Sequence, residues 1–331
     1  MPKVLILHTG GTLGMRGEPL QPDAFSTALT EAVPEIQELA TLETRIVFNM
    51  DSSDLGPVHW TRLAEEIDSS ADDFDGFVIV HGTDTMAYTA SALSYALLNL
   101  GKPVILTGAQ RPLASVRTDA RRNLVDAVDV ATRPIDAVGV CFDGLLLRGV
   151  RTTKSNVNDY RAFDCPGTEP IARLGVEIVM GESQWVGGGR YLYRPEFDPS
   201  VLALHVAPGM QSQLLTKLIE AGQLKGLVMA AYGLGTVPTR GPNIAAVVEQ
   251  AVDSGIDVLV VTQSAGRIDL TRYENSRALQ RAGAIPGGEM TMEAGVTKMM
   301  HALANFDDRR NRRAYLLSNI VGERGAHATK N

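Results

Sequence analysis

Five short runs of apolar, mostly β-branched residues break off abruptly into small polar ones, and this feature most constrains the fold. Val4-Leu5-Ile6-Leu7 leads into His8-Thr9-Gly10-Gly11-Thr12, and Phe77-Val78-Ile79-Val80 into His81-Gly82-Thr83-Asp84-Thr85. Val104-Ile105-Leu106 meets Thr107-Gly108, Leu227-Val228-Met229 meets Tyr232-Gly233, and Val258-Leu259-Val260-Val261 meets Thr262-Gln263-Ser264. Unbroken apolar runs, rather than alternating ones, predict strands buried on both faces, as in parallel sheets. Helical spacing fills the intervals at 87–100, 119–131, 244–252 and 290–304. Strand alternating with helix reads as an α/β protein with a mainly parallel-sheet N-terminal domain and a smaller α/β C-terminal domain.

The chain has 331 residues, and at about 150 residues per domain two domains are expected. The break falls at 185–209, which holds Gly187, Gly188 and Gly189 together with Pro195, Pro199 and Pro208. The expected layout is an N-terminal domain over 1–185, a linker over 186–209 and a C-terminal domain over 210–331. Apolar residues at 44% and charged residues at 21% are enough for a buried core. The net charge of −7 argues against a groove that tracks phosphates, so no nucleic-acid partner is expected. The basic run Arg309, Arg310, Arg312 and Arg313, flanked by Asp307 and Asp308, reads as a solvated helix face. Cys141 and Cys165 are too few for a disulfide framework. The opening apolar run of four residues is too short for a signal peptide or a membrane span. A soluble, cytoplasmic protein without a membrane partner is the expectation.

Ligands of open α/β sheets bind beyond the carboxyl ends of the strands. Two such ends share the order strand, glycine, threonine, at Thr12 and Thr83. Glycine lets a backbone approach a ligand closely, and a threonine there offers a hydroxyl nucleophile beside possible oxyanion donors. Taken singly, each is as well explained by a turn or a helix cap. Asp51-Ser52-Ser53-Asp54 precedes a helical stretch, where capping accounts for one or two of the four residues. The serines would suit a small carboxylate, and Asp51 or Asp54 an ammonium. Lys154 is either a solvated surface charge or a proton relay desolvated beside a carboxylate. The sequence contains no GxxxxGK[ST] loop, no GxGxxG spacing at its first glycine cluster, no GxSxG elbow and no HxxxH pair. These residues alone point to a small-molecule α/β enzyme and no further.

Taken together, Thr9-Gly10-Gly11-Thr12, Asp51-Ser52-Ser53-Asp54, His81-Gly82-Thr83-Asp84-Thr85 and Arg151-Thr152-Thr153-Lys154 come in the order and rough spacing of a known family. The chain resembles the bacterial-type L-asparaginases, in their cytoplasmic type I branch. The match continues through Thr107-Gly108-Ala109-Gln110, Ala231-Tyr232-Gly233-Leu234-Gly235 and Thr262-Gln263-Ser264. The resemblance implies hydrolysis of L-asparagine to L-aspartate and ammonia without a metal or organic cofactor. It makes Thr12 the nucleophile and Thr83 the second threonine, with Lys154 and Asp84 as its relay. Backbone groups near both threonines, with Gly11 and Gly82, would form the oxyanion hole and line the substrate. Asp84 would bind the substrate ammonium, Ser52 and Ser53 its α-carboxylate, and Asp51 would belong to the same turn. An amide needs these parts: a nucleophile, a stabilised oxyanion and a protonated leaving ammonia.

One feature departs from the family. The loop Met15-Arg16-Gly17-Glu18-Pro19-Leu20-Gln21-Pro22 lacks the tyrosine that usually helps activate the first threonine, and Tyr273 is the candidate replacement. The resemblance further implies a homodimer or a dimer of dimers. Two other readings compete: the asparaginase-like subunit of a tRNA-dependent amidotransferase, and a catalytically silent amino-acid-binding protein. The first usually carries an added N-terminal domain, whereas here the first motif starts at residue 9. Retention of Thr12, Thr83, Asp84 and Lys154 weighs against the second.

Overall fold

The computed structural model describes residues 1–16, 21–22, 28–181 and 188–325. Its chain divides into two compact units, Met1–Pro195 and Glu196–Asn331. The first unit is built on one mixed sheet, with strands β1 (Lys3–Gly10), β2 (Thr41–Met50), β3 (Gly76–Val80), β4 (Val104–Thr107), β5 (Val138–Phe142), β6 (Leu145–Arg148), β7 (Ala172–Leu174) and β8 (Ile178–Met180). Their spatial order is β8-β7-β6-β5-β4-β3-β1-β2. From β2 to β5 the neighbours run parallel, and from β5 to β8 antiparallel. The unbroken apolar runs are the central strands: every residue of β3 and β4 is buried, as is all of β1 after Lys3. The protein is α/β and mainly parallel, as its hydrophobic pattern predicts.

The antiparallel turn-back comes from Asp143-Gly144, which joins β5 to β6 with φ of 48° and 71°. Two consecutive left-handed residues make a type I′ hairpin loop, for which Asp-Gly is well suited. The helix expected over 87–100 spans only Met86–Ala96. Asn99 at φ 59° and Gly101 at φ 78° cannot continue a right-handed helix, and Leu97–Leu98 instead pairs with Leu192–Tyr193. That helix is buried round almost its whole circumference, which places its N-terminal end, just after Asp84, inside the unit.

The second unit has its own parallel sheet, in the order β9 (Val201–His205), β10 (Gly226–Ala231), β11 (Asp257–Thr262) and β12 (Ile285–Pro286). Helices Ser212–Glu220, Ile244–Asp253, Glu274–Arg281, Met292–Asn305 and Arg309–Leu317 complete it. The stretch 186–209, expected as a linker, is not all connection. Residues 186–187 lie outside the described ones, Leu192–Tyr193 belongs to a strand pair of the first unit, and 201–205 forms an edge strand. A five-residue, half-exposed edge strand between prolines gives too short a pattern to register as a strand.

The basic run on the last helix is only partly solvated. Arg312 Nε donates to Asp257 Oδ2 at 2.8 Å and Arg309 Nε to Oδ1 at 3.4 Å, while Arg313 reaches the carbonyl of Gly283 at 2.8 Å. The Asp257 carboxylate opens β11 in a buried position, and two guanidinium groups supply the charge it needs there. A second buried pair fastens the segment after that helix. Lys298 and Glu323, both without solvent exposure, form an ion pair. Lys298 also donates to the carbonyls of Leu316 and Ser318, and Glu323 accepts from the backbone N–H groups of Ile320 and Val321. Burial pulls the Lys298 ammonium down to about 8, and the Glu323 carboxylate opposes that fall. Among the described residues, no helix is long and apolar enough to cross a membrane.

Candidate active site

Strands β1 and β3 pair in register from Val4 with Gly76 to His8 with Val80, so their carboxyl ends emerge side by side. Past those ends the two loops meet backbone to backbone. Gly11 sits at φ +85°, and a Cβ there would lie 2.4 Å from the backbone nitrogen of Gly82. A Cβ on Gly82 would in turn lie 2.6 Å from Ser52 Oγ. Both positions therefore demand glycine, the first for its left-handed φ as well as for space. This contact brings three separate sequence motifs to one point. Thr12 opens a single 3-10 turn over Thr12–Gly14 and is partly buried; Thr83 is 7% exposed.

Thr83 is the hub of a polar cluster. Lys154 Nζ donates to Thr83 Oγ1 at 2.7 Å and to Asp84 Oδ1 at 2.6 Å. The lysine is 15% exposed and the aspartate 64%, so the ammonium is largely withdrawn from water while its carboxylate partner faces it. Lys154 is held by a two-residue strand, Thr153–Lys154, paired with Phe163–Asp164. The lysine lies mostly out of water beside a carboxylate and is not a solvated surface charge. Thr83 Oγ1 also lies 3.4 Å from Gln110 Oε1.

The residue before the Gly82-Thr83 turn stiffens it from beneath. Trp60 Nε1 donates to Thr89 Oγ1 at 3.1 Å, Thr89 Oγ1 is 2.9 Å from His81 Nε2, and His81 Nδ1 is 2.7 Å from the carbonyl of Gly82. The Gly82 carbonyl can only accept, so the proton of a neutral imidazole is assigned to Nδ1, and Nε2 then accepts from the Thr89 hydroxyl. Burial lowers the His81 pKa to about 4, which keeps the ring in that state. This histidine supports the backbone of the turn.

In the Asp51 turn, the Asp51 carboxylate accepts from the Ser53 backbone N–H at 2.8 Å and caps the 3-10 turn Ser52–Asp54. That hydrogen bond holds its pKa below the ordinary aspartate value. Ser52 is buried against the Gly82 loop, and Thr85 Oγ1 donates to its carbonyl at 2.6 Å. Ser53 and Asp54 are exposed. The structure thus gathers Gly11, Ser52, Gly82, Thr83, Asp84 and Lys154, with Thr12 next to Gly11 and Ser53 next to Ser52. Tyr273 belongs to the second unit, where it is exposed and precedes helix Glu274–Arg281. In the loop that lacks a tyrosine, Met15–Arg16 pairs with Gln21–Pro22, and residues 17–20 lie outside the described ones. Gln110 has no role in the sequence reading. Its signal is position, directly past the end of β4 as Thr83 is past β3.

Comparison with known proteins matches this architecture. The family model described as asparaginase, N-terminal, matches residues 3–185, and that of the glutaminase/asparaginase C-terminal domain matches residues 200–316. The chain belongs to the asparaginase family. L-asparaginase 1 of Escherichia coli is 36% identical over 332 residues, spanning 97% of both chains. The thermostable L-asparaginase from Thermococcus kodakarensis superposes with a TM-score of 0.91 at 36% identity, covering 97% of this chain and 98% of the other. One subunit of the glutamyl-tRNA(Gln) amidotransferase of Pyrococcus abyssi is 34% identical over 98% of this chain and 77% of its own.

Proposed function

We infer that the protein hydrolyses L-asparagine to L-aspartate and ammonia, an amidohydrolase acting on a linear amide. The observation that carries this reading is Lys154 bridging Thr83 and Asp84 beside the Gly11–Gly82 contact. Full-length likeness to L-asparaginases supports it.

In this reading Thr12 Oγ1 attacks the side-chain amide carbon. A C–O bond forms, and the carbonyl electrons move onto oxygen, where backbone N–H groups of the two glycine loops stabilise them. Collapse breaks the C–N bond, and ammonia leaves with the proton that Thr12 gave up. Water then attacks the ester, and the proton it loses passes through Thr83 and Lys154 to the Thr12 oxygen as the acyl C–O bond breaks; the remaining proton leaves with ionisation of the product carboxylic acid. The exposed face of Asp84 takes the substrate ammonium, and the Ser52–Ser53 turn its α-carboxylate. These anchors fix the substrate end to end, which gives asparagine its advantage over glutamine. Tyr273 is the proposed acceptor for the Thr12 proton, within one subunit or across a homodimer or dimer of dimers. Sparing use of cysteine fits a reducing, cytoplasmic setting.

Ammonia release from free L-asparagine by the purified chain tests the reading. Release that disappears in Thr12→Ala and in Thr83→Ala is expected, and absence of release overturns it. The likeness to an amidotransferase subunit favours a second reading, in which asparagine serves as ammonia donor to another protein. Free turnover without any acceptor excludes that coupling as obligatory.

A further inference from the structure

Gln110 is anchored at both ends. Its backbone N–H donates to the Asp119 carboxylate at 2.9 and 3.1 Å, and the same carboxylate accepts from Arg111 N at 3.0 Å and Asn123 Nδ2 at 3.2 Å. At the side-chain end, Nε2 faces the carbonyl oxygens of Asn156, Val157 and Asp159 at 3.5, 3.2 and 3.0 Å. An amide nitrogen only donates and an amide oxygen only accepts. Three carbonyls on one side therefore decide which way the amide faces, and they leave Oε1 toward Thr83 Oγ1 at 3.4 Å.

On its other side that hydroxyl meets Lys154 Nζ at 2.7 Å. An ammonium has no acceptor, so Thr83 must turn a lone pair to the lysine. Its single proton then needs another direction, and Gln110 Oε1 supplies the acceptor. The distance is at the long end for a hydrogen bond between neutral groups, as such contacts often are before substrate arrives.

We propose that Gln110 is a positioning residue for asparagine hydrolysis, whose fixed amide oxygen sets the proton direction of Thr83. The carbonyls of residues 156, 157 and 159 are the clamp that prevents the amide from turning over. Thr83 is thereby held with a lone pair on the Lys154 ammonium and its proton on Gln110 Oε1, so the hydroxyl keeps one orientation in the resting site. This inference rests on the activity proposed above.

The test compares the wild-type chain with Gln110→Met, which keeps the length and removes both polar atoms, using L-asparagine as substrate. Ammonia release by the wild type comes first; if it is absent, the proposed function fails and not the role of Gln110. With an active wild type, the methionine variant is expected to lose at least fivefold in kcat with KM within twofold and an unchanged melting temperature. A smaller loss, or one that falls on KM, overturns the proposal. If the methionine variant melts far lower, Gln110→Glu decides instead. A protonated glutamic acid can donate to one carbonyl and accept from Thr83, whereas its carboxylate repels all three carbonyls. The charged groups of this network are Lys154, Asp84 and Asp119, with Arg111 and Asp159 joined to it through their backbones. The ratio of variant to wild-type kcat is expected to rise as pH falls. A ratio that is flat or falls on acidification overturns the proposal.

Discussion

Each unit holds one withdrawn lysine facing a carboxylate, and the two pairs behave as opposites. In the second unit Lys298 and Glu323 are both fully buried, and each is surrounded by further hydrogen bonds. In the first unit Lys154 is mostly buried, but Asp84 is 64% exposed and keeps room for another partner. A saturated pair can only hold structure together, because any exchange leaves a charge stranded in a medium that does not solvate it. A pair open on one side can trade its water for a substrate ammonium and pass a proton. Access on the carboxylate side, more than the lysine itself, separates a rivet from a working group.

The largest effect should come from the open pair. Lys154→Met is expected to lower kcat for asparagine by at least about 10²–10⁴-fold, the usual share of a positioned proton carrier. Its stability should change by no more than about 1 kcal/mol, because the partner it loses is solvated. Steady-state kinetics with denaturant melts would break the contrast if the variant kept its turnover or lost its fold.

The closed pair should give the inverse result. Lys298→Met leaves Glu323 charged and buried, a loss of about 3–5 kcal/mol, with kcat per folded molecule unchanged. Adding Glu323→Leu should recover part of that stability. Equal damage in single and double variants would show that the pair is not the fastening.

A third outcome sharpens the contrast with a group held uncharged. His81 titrates near 4 when folded and near 6.5 when unfolded. Between those values the unfolded chain binds a proton that the folded one refuses, so stability is complete above pH 6.5 and falls toward pH 4. The full change is about 3 kcal/mol for a shift of this size. Melting curves of His81→Gln should show an acid slope shallower by that amount, and identical slopes would remove His81 from the account. Smallest is the substrate preference. An added methylene displaces the amide carbon from Thr12, and kcat/KM should favour asparagine over glutamine by about 1–3 kcal/mol or more. Equal values for the two amides would mean that the Asp84 and Ser52 anchors do not fix the substrate.

Strand ends were legible because doubly buried strands are written as apolar runs that stop abruptly. That pattern located Thr12, Thr83 and Gln110 at ends of β1, β3 and β4, although only the threonines attracted attention. The hairpin at Asp143-Gly144 also had its signal, since Asp-Gly between apolar runs favours two left-handed residues. Other features had no local signal. Lys154 stands 71 positions from Thr83, and the residues alone leave surface charge and relay both open; only the family resemblance pairs it with Asp84. Lys298 and Glu323 look solvated, as do Arg309 and Arg312, because charge in a sequence does not reveal its partner. Beyond that hairpin, the antiparallel edge strands β7 and β8 are likewise silent, since direction is set by connections and not by composition.

The contact of Gly11 with Gly82 bears on how closely the spacing of the two threonine loops is defined. Side chains that separate two loops can change rotamer, and the gap between the loops then breathes with them. Here main chain rests on main chain, and the separation is set by atomic radii. Neighbouring residues can be exchanged over generations without retuning that spacing, so long as both glycines stay. The same arrangement leaves no intermediate setting: one added methyl does not loosen the site by degrees but pushes its two halves apart.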